Sequence, residues 1–143
     1  MRTRNRPSIA VACMAAGAVA VFAVVRSVHR VEVVGESMAP ALLPGDRLVV
    51  VGRPWRTAPW PVPGSVVAVA DPRLPQRVLV KRVAAVHRRT GTIEVVGDAP
   101  DASTDSRSFG PVPRSALIGR AVYRYSPPGR SGRGPWSGEY HLR

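Results

Sequence analysis

Residues 9–25 form an unbroken apolar run of seventeen positions, and nothing later in the chain repeats that pattern. A helix of that length, rising about 1.5 Å per residue, is close to the shortest that spans a bilayer core. Further on, apolar positions come in short valine-rich runs at residues 31–34, 46–51, 65–70, 78–86, 92–96 and 116–125. Pro44-Gly45, Pro63-Gly64 and Asp71-Pro72 punctuate them, and Arg88-Arg-Thr-Gly91 reads as a hairpin-like connection between the fourth and fifth. No stretch shows a convincing amphipathic helical period. The pattern predicts a mainly β fold: a small barrel-like or coiled antiparallel domain of six strands, preceded by one N-terminal transmembrane helix.

The division that follows is a basic flank at residues 1–8, an anchor at 9–25, a β domain at 31–125 and a disordered tail at 126–143. The tail is rich in Gly, Pro, Ser and Arg. Residues 52–64 carry Trp55, Trp60 and four prolines. They read either as a surface loop with two partly buried tryptophans or as a loop at the membrane interface.

Flanking charge refines the anchor. Arg2, Arg4 and Arg6 precede it, and Arg26, His29 and Arg30 follow. Ala18-Val19-Ala20 offers a small-x-small cleavage site, but the apolar run continues to Val25, which favours a retained anchor over a removed signal peptide. The slight excess of arginine on the N-terminal side predicts a single pass through the cell membrane, with the β domain on the extracytoplasmic side. The bilayer is therefore an expected partner.

The 143-residue chain has a net charge of +12. That charge is spread over both ends and the middle, without a basic helix face or aromatic-studded patch, so no nucleic-acid partner is expected. One cysteine, Cys13, excludes an internal disulfide or a cysteine-based metal cluster. His29, His87 and His141 have no metal-ligand spacing, and no metal or cofactor is expected.

Of twenty-one basic residues, twenty are arginine and one is lysine, Lys81, within the apolar run Arg77-Val-Leu-Val-Lys-Arg-Val-Ala-Ala-Val86. Arginine holds its proton in proteins, whereas a lysine buried among apolar side chains can lose it. A neutral amine is a general base, and it implies a nucleophile. Ser37 is the candidate, in the Gly/Pro-bounded turn Gly35-Glu-Ser-Met-Ala-Pro-Ala-Leu-Leu-Pro-Gly-Asp46. A serine before a turn also serves commonly as a local hydrogen-bonding residue.

The Ser-Met-x-Pro-x-Leu-x-Pro-Gly-Asp pattern resembles the type I signal peptidase family of membrane-anchored Ser/Lys proteases. Val80-Lys81-Arg82-Val83 resembles its lysine box, and the segment at residues 97–112 resembles its Gly-Asp-Asn…Ser-x-Asp-Ser-Arg-x-aromatic-Gly box. The three occur in family order after an anchor in the expected place. The resemblance implies that Ser37 attacks the scissile carbonyl and Lys81 takes its proton, while Ser103 orients the lysine amine. Asp105 and Arg107 match an ion pair that shapes the site, with Arg82 and Asp98 as further structural support. The Ser37 backbone N–H is the first candidate oxyanion donor. The implied substrates are exported precursors cut at small-x-small sites, docked as an added strand.

Some positions depart from the pattern. Ala41 replaces a threonine, Ala99 an asparagine, and Ser65 a common aspartate; Gly35 stands where some members place an oxyanion-hole serine. Rival readings are a dedicated maturation protease of the nickel superoxide dismutase processing type, a self-cleaving SOS-repressor-like protein, and a non-catalytic membrane-bound binding module. The twelve residues from Val25 to Ser37 span at most roughly 40 Å, which keeps the site near the bilayer.

Overall fold

Val66-Val-Ala-Val-Ala70 is apolar at every position, as expected of a strand covered on both faces rather than one. In the computed structural model, which describes residues 13–20, 27–52, 58–134 and 136, this segment is the central strand of one antiparallel sheet. The strands are β1 (Val28–Glu32), β2 (Arg47–Val51), β3 (Val66–Asp71), β4 (Leu74–His87), β5 (Thr92–Val96), β6 (Val112–Pro113), β7 (Leu117–Ser126) and β8 (Gly132–Arg133). They lie side by side in the order β1-β2-β7-β3-β4-β5-β6, and β8 adds to β7.

Each face of β3 serves a separate core. Val66 and Ala68 join Val33, Met38, Leu42, Leu48, Val50 and Ala121, with Trp136 packed among them. Val67 and Val69 turn the other way, toward Leu79, Val83, Ile93, Val95 and Val112. This is strand alternation at work: neighbouring positions serve opposite faces. Each fully buried Val or Leu contributes about 1.5–3 kcal/mol.

The sheet is antiparallel but open, which corrects the barrel-like expectation. Among the described residues β1 and β6 remain edges. β6 is two residues long and its Pro113 has no N–H to offer a closing strand. β1 runs earlier than residues 31–34, because its register pairs Val28 with Val51 and Glu32 with Arg47. β4 begins at Leu74, four residues before the expected start, because a tight turn from Asp71 returns it along β3. The connection from His87 to Thr92 is the expected hairpin; Gly91 takes φ +72° and its N–H bonds the His87 carbonyl at 2.9 Å.

The segment read as a disordered tail is ordered in its first part. Residues 128–130 make a 3-10 turn, β8 pairs with Tyr123 and Arg124, and Trp136 is buried. Residues 137–143 lie outside the described residues. Of the expected anchor, residues 13–20 are helical and exposed, and the remainder lies outside the described residues. Among the described residues no helix is long and apolar enough to cross a membrane. Trp60 is partly buried against the second core, with Arg114 stacked 4.3 Å over its ring, while Trp55 lies outside the described residues.

Candidate active site

The turn bearing Ser37 is fixed by what lies on either side of it. Met38 and Leu42 are fully buried in the first core, and Leu42 N–H bonds the Met38 carbonyl at 2.8 Å. The far end is closed by Pro44-Gly45-Asp46. Gly45 adopts φ +89°, a region other residues avoid, and its N–H returns to the Val33 carbonyl at 2.7 Å. Asp46 is buried; its Oδ2 accepts the Leu43 N–H at 2.9 Å and meets Arg124 and Arg130 at 3.1 Å each. Ser37 itself stays half-buried at the surface of this clamp.

Lys81 sits on β4 and is only 3 % exposed. Leu79 and Val83, two residues to either side, share its side of the strand and belong to the second core. The Lys81 Nζ donates to Ser103 Oγ at 3.0 Å, and Ser103 donates in turn to Asp105 Oδ2 at 2.5 Å. Asp105 is fully buried and also accepts from the Gly97 N–H at 2.8 Å and from Arg107 Nε and Nη2 at 2.9 and 2.6 Å. It caps the one-turn helix Ser106–Phe109 through the Arg107 N–H, and Gly110 at φ +82° ends that helix. The Asp-Ser-Arg-x-Phe-Gly string thus has a local physical reason: an acidic N-cap and a glycine stop.

These contacts set the protonation states. Burial drives the Lys81 pKa below its ordinary 10.5; the Asp105 charge opposes the shift, and Arg107, Arg77 and Arg73 reinforce it. Burial alone would raise the Asp105 carboxyl. Hydrogen bonds from Arg107, Ser103 and Gly97 outweigh it and hold the carboxyl well below its usual range. With Asp105 ionised, the Ser103 proton is committed to the carboxylate. Ser103 can then only accept from Lys81, so the amine lone pair points elsewhere.

Arg82 faces away from Lys81, as strand alternation requires. It holds Asp98 in a buried two-point pair at 2.7 and 2.6 Å and donates to the Gly64 and Trp136 carbonyls. Asp101 is exposed.

Ser37 and Lys81 line one cleft of about 400 Å³, with Val33, Val34 and Gly35 on one wall and residues 77–80 on the other. Among the described residues no hydrogen bond joins Ser37 to Lys81. The β4 wall has an unusual property. Leu74 and then Val78 to Arg82 pair with β3 on one side, with an irregular stretch between them, while pairing with β5 begins only at Arg82. Among the described residues, the stretch before Lys81 therefore carries a free backbone edge beside the cleft.

Gly97 is the site residue that sequence reasoning passed over. A Cβ there would fall under 3.0 Å from Ser103 Oγ, Ser103 Cβ and the Ser37 carbonyl. The Ala99 N–H also bonds that carbonyl, at 3.0 Å. Residues 97–99 thus tie the Ser37 turn to the Ser103–Asp105 pair through backbone alone, which is why alanine suffices at 99. The signal was the Gly-Asp of the third box, whose glycine marks close backbone approach.

Comparison with known proteins places the chain in a family. The family model described as "Signal peptidase, peptidase S26" matches residues 6–87 and 89–126. The chain is 36% identical to mitochondrial ATP-independent inner membrane protease subunit 1a of Arabidopsis thaliana, covering 66% of this chain and 68% of that protein. It is 34% identical to mitochondrial inner membrane protease subunit 2 of Mus musculus, covering 74% and 70%.

Proposed function

The chain belongs to the signal peptidase family, peptidase S26, and from that membership we propose that it is a membrane-anchored serine endopeptidase working through Ser37 and Lys81. The observation that carries the reading is a buried lysine with a lowered pKa, held by Ser103 and Asp105 in the cleft that Ser37 lines. Ser37 Oγ attacks the scissile carbonyl as its proton passes to Lys81 Nζ. The Ser37 backbone N–H steadies the developing oxyanion. The C–N bond then breaks, and the Lys81 ammonium returns the proton to the departing amine. Water, deprotonated by Lys81, attacks the acyl-serine and frees it. The Ser37–Lys81 hydrogen bond forms as substrate fills the cleft, as catalytic contacts often do.

The substrate lies as an extended strand along the free edge of β4, opposite Val33 and Val34, so that backbone hydrogen bonds supply the affinity. Exported precursors cut after small-x-small sequences are the proposed class. Residues 9–25 supply a single-pass membrane anchor, with the β domain on the extracytoplasmic side of the cell membrane. The relatives' names, mitochondrial inner membrane proteases, favour membrane association. Arg82 with Asp98, and Asp105 with Arg107, serve as structural supports.

The test is incubation of the full chain with a panel of secretory precursors and one cytosolic maturation substrate, reading cut sites by mass. Cleavage of several precursors after small-x-small sites, abolished by Ser37→Ala and by Lys81→Arg, is the expected result. Cleavage of the maturation substrate alone would favour a dedicated protease. Cleavage that survives either substitution would overturn the mechanism.

A further inference from the structure

Four charged side chains line the cleft: Glu32, Arg73, Arg77 and Lys81. Three have their charge answered or removed. Glu32 pairs with Arg47 at 3.3 Å. Arg73 grips the buried Asp71 at two points, 3.0 and 2.8 Å, and lies 5.4 Å over the Phe109 ring. Lys81 is the neutral base of the proposed reaction. Arg77 is the remaining one. It is exposed and among the described residues makes no hydrogen bond or close ion pair; its charge acts only at longer range, on Asp71 and Lys81.

Its position along the free edge gives this charge a meaning. Arg77, Leu79 and Lys81 occupy alternate positions of β4, and all three line the cleft. Four residues of strand separate Arg77 from Lys81 by roughly 13 Å. A substrate strand laid on this edge brings its scissile carbonyl level with Lys81. The substrate residue four positions away then presents its side chain on the same side, level with Arg77. Directly opposed cross-strand side chains lie within reach of a guanidinium.

We propose that Arg77 is a specificity-determining residue that selects an acidic substrate side chain four positions from the scissile bond. This rests on the protease reading above. The selected group is a carboxylate, which a guanidinium can take at two points. A lysine or arginine at the same substrate position meets like charge and is disfavoured.

The experiment uses the full chain with peptides carrying Glu, Gln or Lys in turn at each position within five residues of the cut, on both sides. At one position, four residues away, Glu is expected to exceed Gln in kcat/KM by about two- to fivefold, with Lys below both. Raising the salt to 1 M should shrink that ratio. In Arg77→Gln the Glu/Gln ratio should fall to one, and in Arg77→Glu the order of Glu and Lys should reverse. Cleavage without charge preference at any position overturns the proposal and leaves the protease reading standing. So does a preference that persists in Arg77→Gln. Failure to cleave any peptide overturns the protease reading and this proposal with it.

Discussion

Replacing Gly97 with alanine adds one methyl group, and the structure places that methyl on top of the site. It would fall under 3.0 Å from Ser103 Oγ and Cβ and from the Ser37 carbonyl oxygen. None of these atoms is the end of a flexible chain. Ser103 Oγ is held at 2.5 Å by Asp105 and at 3.0 Å by Lys81. The Ser37 carbonyl belongs to a turn pinned by buried Met38 and Leu42. Relief therefore requires the Ser37 turn and the Ser103 segment to move apart. Overpacking of this kind costs about 1–3 kcal/mol, or about 4 °C of Tm per kcal/mol for a domain of this size. The effect on rate should be larger, since about 1 Å of misplacement costs about 100-fold. The assay is kcat/KM on a small-x-small peptide beside a thermal melt. We expect about 100-fold lower activity with the fold retained. In a Ser103→Ala background the added methyl loses one of its collisions, so its stability cost should be smaller. Activity within about threefold of the parent would refute the argument that Gly97 sets the spacing of Ser37 and Ser103.

Four further outcomes follow from the same geometry. Ser37→Ala and Lys81→Arg should each lower kcat by at least about 10³-fold, measured by product mass, the first with unchanged melting and the second with a lowered Tm, because arginine buries a charge that it cannot shed and cannot accept a proton. Ser103→Ala should lower the rate by about 10- to 100-fold, since the amine stays buried but loses its orienting partner. Asp105→Asn removes the charge that opposes the lowering of the Lys81 pKa. The acid limb of kcat/KM should therefore move to lower pH, and an upward shift would contradict the assignment. The Asp105 carboxyl ordinarily titrates near 3.8 and is held lower in the fold. Its stabilising contribution is thus complete above that pH and lost as pH falls below it. Stability measured by urea unfolding should accordingly fall less steeply with acid in Asp105→Asn. Gly35→Ser should fold normally, because a Cβ at 35 meets nothing within 4 Å. If its hydroxyl supplies a second oxyanion donor, kcat should rise in a peptide assay; a fall would show that the cleft has no room for it there.

What was legible beforehand follows the length over which a physical signal extends. β2 and β5 alternate or run apolar for five residues, and their expected positions hold within a residue. β6 and β8 are two residues each, too short to carry a period. The burial of Trp136 could not be read from a stretch rich in glycine and serine, because much of what covers it is distant in sequence, including the Arg82 guanidinium that donates to its carbonyl and the core residues from Val33 to Ala68. Lys81 stood out by composition. Ser103 and Asp105 followed from the order of the boxes, and the structure brings both to the lysine. Gly97 and Arg77 did not stand out. The first matters through what its missing side chain leaves room for. The second depends on strand register, which among the described residues leaves residues 78–81 of β4 unpaired on one side.

Lys81 is the only lysine in the chain, so labelling lysine with ¹³C at Cε gives a single side-chain resonance to titrate. The midpoint should fall below the ordinary 10.5 and coincide with the acid limb of the kcat/KM profile. A midpoint at or above 10.5, or an acid limb that does not follow the titration, would contradict the claim that Lys81 works as a neutral base.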